Sequence, residues 1–224
     1  MAIVTGLTAE KMLELADEMI VVRDAIGTPL IHENFDSDPL AQYSGGEGTS
    51  LLGLSVSGGS IAPTDTDDHI AIHNTAMTKT SRILLKFTPG TAAAIRIMIK
   101  YIDTDNFLMC EYYHGDPYRP RIYQKQAGSY TSIANGTGLS PISPGDPVFM
   151  VARLTGNIVI CEGWQTDPRG GGAPYNNLMA SVDPAFDATV AGKVGFRLMS
   201  ESGTPPTADE FIVVSHDNAN ILNF

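Results

Sequence analysis

Near the amino terminus, apolar residues recur at Met12, Leu15, Met19, Val22 and Ile26, an alternating three-and-four spacing that lays one narrow stripe along a helix. The spacing predicts a helix over Thr8–Ile26. Thr8 offers a capping hydroxyl, Glu10 sits in the first turn where the helix dipole favours an anion, and Gly27 with Pro29 ends the run. Met12, Met19 and Ile26 fall at a positions of a heptad and Leu15 and Val22 at d positions. Glu18 is then a g residue and Arg23 the following e residue, the pair that joins neighbouring helices across a seam. β-branched Val22 at d disfavours a two-stranded coil, so the expected assembly is a homotrimeric coiled coil. A helix of this length is marginal alone and needs a partner, and with two heptads its own domain is the alternative partner.

Beyond Gly27 the period changes from helical to two. Short runs at Leu30–Phe35, Leu51–Val56, Gly59–Ile61, Ile70–Ile72, Arg82–Thr88, Ala94–Ile102 and Phe107–His114 read as strands. Arg121–Gln124, Val148–Leu154, Ile158–Glu162, Val194–Met199 and Glu210–Ser215 continue the series. Turn residues such as Pro89-Gly90, Asp103-Thr104-Asp105-Asn106 and Gly156-Asn157 separate them. About a dozen short strands without a second helix indicate two packed antiparallel sheets. The chain therefore divides into an attachment and oligomerisation helix (1–29) and a mainly β, two-sheet antiparallel sandwich (30–224). Trp164–Val182, with its Gly170-Gly171-Gly172 run, reads as the one long irregular loop, and long loops on rigid sheets tend to carry function.

Charge adds a further division. The 224 residues carry a formal charge of -11, which argues against nucleic acid as a partner. No Lys or Arg occurs from Gly27 to Met77, whereas Lys79, Arg82, Lys86, Arg96, Lys100, Arg119, Arg121 and Lys125 follow in succession. Several alternate with apolar residues, as in RILLKF and IRIMIKY, so they are expected on the wet face of a sheet. Cys110 and Cys161 lie in apolar runs with no second Cys or His at metal-ligand spacing; buried thiols are the default, and a disulfide between neighbouring strands stays open. No signal peptide or membrane span is evident, so synthesis in a cytosol and no membrane partner are expected.

The runs IRIMIKYIDTDNFLMCEYY, VFMVARLTGNIVICEGW, GKVGFRLMSES and DEFIVVSH together resemble the jelly roll of concanavalin A-like lectins, glucanases and laminin-G-like modules. The entry strands LIHENFD and LLGLSVSGGSI extend that resemblance over roughly Leu30 to His216. The leading segment MAIVTGLTAEKMLELAD is similar to the segment, commonly V-x-G-L-T-A-E-R-M, of minor tail and tail-fibre proteins of phages that infect actinobacteria, with Lys11 where Arg is frequent. The resemblance implies a virion structural protein in which an oligomerising helix carries a sugar-binding-type sandwich. Its partners would be other copies of itself, tail or capsid proteins and host cell-wall polysaccharide. A capsid-surface decoration protein or head fibre is one alternative, and a glycan hydrolase another.

Hydrolases of this kind need two carboxylates on one strand face, about 5 to 5.5 Å apart for retention. The E-x-D-x-E run that would supply them is missing: Glu111 and Asp116 are separated by a turn, and Glu162 is alone on its strand. His32-Glu33 lacks the second His of a zinc hydrolase, and Gly53-Leu54-Ser55-Val56-Ser57 lacks the closing Gly of a nucleophile elbow. No catalytic residues are expected. Sugar binding needs an exposed ring and a few planar polar groups. Its candidates are Tyr112, His114, Tyr118, Arg119, Arg121 and Tyr123 in a Tyr-rich hairpin, with Trp164 and Tyr175 around the long loop. Alternation places Tyr113 with Phe107 and Met109 toward the core and Tyr112 on the other face. Asp65, Asp67, Asp103 and Asp105 offer oxygen ligands suited to calcium, but are also ordinary turn residues; no cofactor is expected. If the helical seam joins three copies, light scattering on the full chain will give three times 23.9 kDa, and a chain beginning at Leu30 will run as a monomer.

Overall fold

The computed structural model describes residues 30–47, 49, 51–77, 81–113, 119–136 and 143–215. The expected helix with its seam residues Met12, Leu15, Glu18, Met19, Val22, Arg23 and Ile26, together with His114 and Tyr118, lies outside the described residues. Fifteen strands are described, of which nine fall in the first part: Ile31–Glu33 (β1), Tyr43–Gly45 (β2), Leu54–Ser57 (β3), Ser60–Pro63 (β4), Asp68–Met77 (β5), Ser81–Thr88 (β6), Ala92–Asp103 (β7), Asn106–Tyr113 (β8) and Arg119–Gln126 (β9). Ser129–Asn135 (β10), Val148–Thr155 (β11), Ile158–Trp164 (β12), Asn176–Ser181 (β13), Gly192–Ser202 (β14) and Thr207–Ser215 (β15) complete them.

These strands form two antiparallel sheets. One runs β13-β12-β11-β6-β15-β4-β3 with β1 also paired to β15, and the other runs β10-β9-β8-β7-β14-β5-β2. The neighbours β6–β15 and β7–β14 are far apart in sequence, so the final two strands insert into the middle of both sheets. Apolar positions at period two turn Ile83, Leu85, Phe87, Met150 and Ala152 of the first sheet toward Ile95, Ile97, Leu108, Cys110 and Phe196 of the second. Phe196 packs edge-on against Phe35 and Phe211, with ring centroids 5.9 and 5.4 Å away. Cys110 and Cys161 both lie in this interior as free thiols.

Three expectations change here. The segment Trp164–Val182 is not wholly irregular, because β13 within it pairs in register with β12, and β10 likewise extends the other sheet from β9. Both are edge strands with half-exposed, largely polar sequences that turn only a short apolar pair to the core, Ile133 and Ala134 in β10 and Leu178 and Ala180 in β13, which is why periodicity missed them. The faces of β8 are the reverse of those expected: Tyr112 is an interior residue, while Phe107 and Met109 belong to an outward-facing cluster with Ile70, Ile72 and Met98. Finally, Arg82, Arg96 and Lys100 are 2%, 8% and 3% exposed, so these three do not line a wet face, whereas the Lys86 side chain is 37% exposed.

Lys100 shows how one of them is accommodated. The register of β7 shifts between Met98 and Lys100, and Lys100 Nζ donates to the carbonyl oxygens of Asp187 and Val190 at 2.6 and 2.5 Å. Burial pushes its pKa down to about 8 against the opposing attraction of Asp187. The unfolded chain, with the ordinary lysine value near 10.4, then binds more protons between about pH 8 and 10, so stability rises with pH across that window. Urea unfolding at pH 7 and pH 9.5 should show this gain, about 2 kcal/mol, and Lys100→Met should abolish it.

Candidate functional site

The outward face of the β10–β2 sheet carries an unusual row of charges. The register sets Arg197 of β14 opposite Arg96 of β7, Arg96 opposite Glu111 of β8, and Glu111 opposite Arg121 of β9. Like charges directly opposite each other on adjacent strands destabilise a sheet unless something separates them. Asp68 of β5 does so. Both nitrogens at Nε and Nη2 of Arg197 donate to its carboxylate, and Arg96 Nη1 lies 3.6 Å from its Oδ2. Arg96 Nε also donates to Glu111 Oε2 at 2.5 Å, and Arg121 Nη1 approaches Glu111 Oε1 at 3.6 Å.

Glu47 completes the arrangement from above. The turn after β2 holds Glu47 at a positive φ of 50°, and Gly46 lets that turn approach closely: a Cβ there would meet Ile70 Cγ2 at 2.7 Å. The Glu47 carboxylate accepts from Lys125 Nζ at 2.5 Å, from Tyr130 Oη at 2.9 and 3.0 Å, and from Arg197 Nη1 at 3.1 Å. Its backbone N–H donates to Tyr101 Oη at 3.1 Å. Phe107 is roofed over as a result, with Tyr101 stacked on it at 5.9 Å, Tyr130 edge-on at 5.7 Å and Lys125 Nζ 5.5 Å from its ring centre. Burial opposes the charge on Arg197, but the bonds and attraction from Asp68 hold its pKa above the ordinary arginine value. The bond to Glu47 does the same for Lys125.

Beside this roof is an open cavity of about 390 Å³, within the range of small-ligand sites. It is lined by the buried Arg96, Met109 and Glu111 and by Arg121, Tyr123, Tyr130 and Arg197. Tyr123 is half-buried, its hydroxyl accepting from Arg121 Nη1 at 3.2 Å, and Tyr130 is 48% exposed. An aromatic face beside fixed guanidinium and carboxylate groups suits a polyhydroxylated ring.

Of the described sequence candidates, Arg121 and Tyr123 line this cavity, and Arg119 opens the same strand β9. Tyr112 is 1% exposed in the interior, where its hydroxyl accepts from Tyr175 and, at 2.5 Å, from Asn176 Nδ2. Burial, reinforced by Tyr175, raises its pKa. Trp164 is 5% exposed on the outward face of the other sheet, so it presents no free stacking surface; its Nε1 donates to Glu162, which Arg153 Nη2 also grips at 2.8 and 2.9 Å. Arg96, Glu111, Tyr130 and Arg197 were not singled out as ligand contacts. The signal for them was their shared outward parity on neighbouring strands, which becomes visible only once the register is known.

The calcium candidates sit in tight turns. Asp65 accepts from His69 Nε2 at 2.6 Å and from the Asp67 N–H at 3.0 Å, and Asp103 accepts from the Asp105 N–H and Asn106 Nδ2, both at 2.8 Å. A second concavity of about 570 Å³ borders Asp65, Asp67, Asp68 and His69. Among the described residues no group of three or more His, Cys, Asp or Glu is placed to hold a metal ion, and no helix among them is long and apolar enough to cross a membrane.

No family model matches the sequence, and no curated protein matches it. Solved structures do match in fold. The CBM2 module of the evolved Dit of Lactobacillus casei BL23 phage J-1 superposes with a TM-score of 0.61 at 10% identity, over 86% of this chain and 98% of that one. The carbohydrate-binding module CBM66 of Bacillus subtilis gives 0.56 at 11% identity, over 78% and 96%. A Bauhinia forficata lectin in complex with GalNAc gives 0.58 at 13% identity, over 85% and 98%. The chain thus has the lectin-like jelly-roll fold of carbohydrate-binding modules. Within the site, Arg197 balances two carboxylates while 13% exposed at its side chain. Removing one partner of such a buried array leaves the others uncompensated, and Arg197→Met should lower the unfolding free energy by about 3–5 kcal/mol in urea titrations.

Proposed function

We propose that this chain is an adhesion protein of a phage virion whose sandwich holds a host-surface glycan in the cavity bounded by Arg96, Glu111, Arg121, Tyr123 and Tyr130. The observation that carries this reading is the cavity itself: an open hollow on the outward face of a lectin-like sheet, with phenol rings beside guanidinium groups that are already fixed by ion pairs. Fixed groups lose little freedom when a ligand arrives, so a modest contact area suffices for useful affinity.

The phage setting draws support from two independent likenesses, the leading segment VTGLTAEKM and the fold shared with a module of a phage Dit. In this reading the amino-terminal helix joins three copies and attaches them to the particle, through tail or capsid proteins, and the sandwiches face outward. Several weakly binding modules on one particle raise the effective concentration of each for a repetitive polysaccharide.

The proposed mechanism is retention without turnover. Glu111 accepts from Arg96 and faces Arg121, so each of its oxygens is turned to a guanidinium group rather than to the cavity. Glu162 is likewise engaged by Arg153 and Trp164 on the opposite side of the molecule. The test is a glycan array with the full chain, followed by titration calorimetry on the strongest ligand. Tyr123→Ala and Arg121→Ala should each weaken binding at least tenfold, about 1.4 kcal/mol, with circular dichroism unchanged. Full binding by both variants would move the site elsewhere, and silence of the unmodified chain across the array would leave the sandwich a spacer.

A further inference from the structure

The outward face of the eight-stranded sheet carries an apolar cluster that is closed to solvent. Leu84 of β6, Phe149 and Val151 of β11, Trp164 of β12, and Ile212 and Val214 of β15 form it, none more than 8% exposed. Arg82 shares this face with Leu84 by alternation along β6 and is only 2% exposed, whereas an arginine on a bare sheet keeps its head group in water. Burial pushes its pKa down to about 10. The other sheet does not supply the cover, because it packs against the inward face. Apart from strands, the described residues form four short 3-10 turns, of which Pro168–Gly170 reaches the margin of the face through the Arg169–Glu210 pair. Burial across the whole cluster calls for a third layer.

The segment before Leu30 is placed to supply one. The Leu30 N–H donates to the Val213 carbonyl at 2.8 Å, and Ile31 pairs with Val213, so the chain enters beside Ile212 and Val214, at one margin of the cluster. From β15 the cluster crosses β6 and β11 to β12, about 14 Å at the usual strand spacing. A helix over Thr8–Ile26 would be about 28 Å long, enough to span it. The seam residues Met12, Leu15, Met19, Val22 and Ile26 use one stripe of that helix. At helical spacing a second apolar stripe, Ala9, Leu13, Ala16 and Ile20, lies about a third of a turn around from the first. The combined apolar arc is broad, as on a helix resting on a core.

Charge agrees with this placement. Arg82 and Arg153 stand opposite each other in the β6–β11 register, and like charges so placed repel. Glu162 grips Arg153 from β12, and Asp17 and Asp24, which border the second stripe, would bring further negative charge to the pair. We propose that the amino-terminal helix lies across this face of its own sandwich, packed through Leu13, Ala16 and Ile20, with the seam residues turned away toward other copies. The inference stands apart from the glycan reading of the opposite sheet. It makes the helix a fixed bracket rather than a free stalk, so that copies joined at the seam hold their sandwiches in one orientation.

Trp164, the single Trp of the chain, lies in the cluster and reports on its cover. In the full chain, Leu13→Glu together with Ile20→Glu should raise acrylamide quenching of Trp164 by about threefold or more and shift its emission to the red, with far-UV circular dichroism of the strands retained. Leu15→Glu together with Val22→Glu should leave Trp164 as it is in the unmodified chain. Unchanged quenching in the first variant would overturn the docking, and an equal rise in both would overturn the assignment of the second stripe. A photo-reactive benzoylphenylalanine replacing Leu13 identifies the partner surface even if the double variant fails to fold. Cross-links to β6, β11, β12 or β15 at the monomer mass of 23.9 kDa are expected. Cross-links only between copies, or none to these strands, would overturn docking on the chain's own sandwich.

Discussion

The row Arg197–Arg96–Glu111–Arg121 is the constraint around which the outward face of one sheet is built. Two arginines side by side on adjacent strands repel each other, and taking them out of water costs several kcal/mol per ion. Asp68 and Glu47 offset this, and neither comes from the strands that carry the row. Asp68 sits on β5 beyond β14, and Glu47 on the turn that leaves β2 at the far edge. Charge balance on this face therefore couples the edge of the sheet to its centre, and the site exists only when the whole sheet has assembled.

The same interactions explain how the site can be both rigid and open. Tyr101, Tyr130 and Lys125 close over Phe107 under the Glu47 turn, filling one half of the face. The neighbouring half, where Met109 lies between Tyr123 and Met98 in the cross-strand register, borders the open cavity. A roof on one side fixes the walls of the hollow on the other. Preorganised polar groups of that kind favour recognition over adaptation.

Both sheets depart from the simple scheme of one apolar and one wet face. Leu84, Phe149, Val151, Trp164, Ile212 and Val214 form a second buried cluster on the outward face of the eight-stranded sheet, and Ile70, Ile72, Met98, Phe107 and Met109 a third on the other. The short 3-10 turn Pro168–Gly170 contributes to closing the first of these faces, where Arg169 reaches across to both oxygens of Glu210 at 2.9 and 2.8 Å. On the face of the seven-stranded sheet, the buried Arg96 and Arg197 are each met by carboxylates, Glu111 and Asp68 for the first and Asp68 and Glu47 for the second.

Much of the architecture was legible in the linear pattern. Period-two runs such as RILLKF and IRIMIKY, bounded by Pro-Gly, Asp-Asn and Gly-Asn turns, determined that these segments are strands and that they pack as two antiparallel sheets. The buried state of Cys110 and Cys161 followed from the same runs. Alternation assigns residues to two faces but does not say which face is interior when both are apolar, and so Tyr112 and Phe107 exchanged sides. Nor does it set register across strands distant in sequence. Arg96 and Arg197 are far apart along the chain, and only the insertion of β14 between β7 and β5 makes them neighbours. The sequence by itself determined most of the strands, though not the edge strands β2, β10 and β13, because local periodicity and turn chemistry act over a few residues. The tertiary structure alone decided the site, because its charges balance only through long-range pairing.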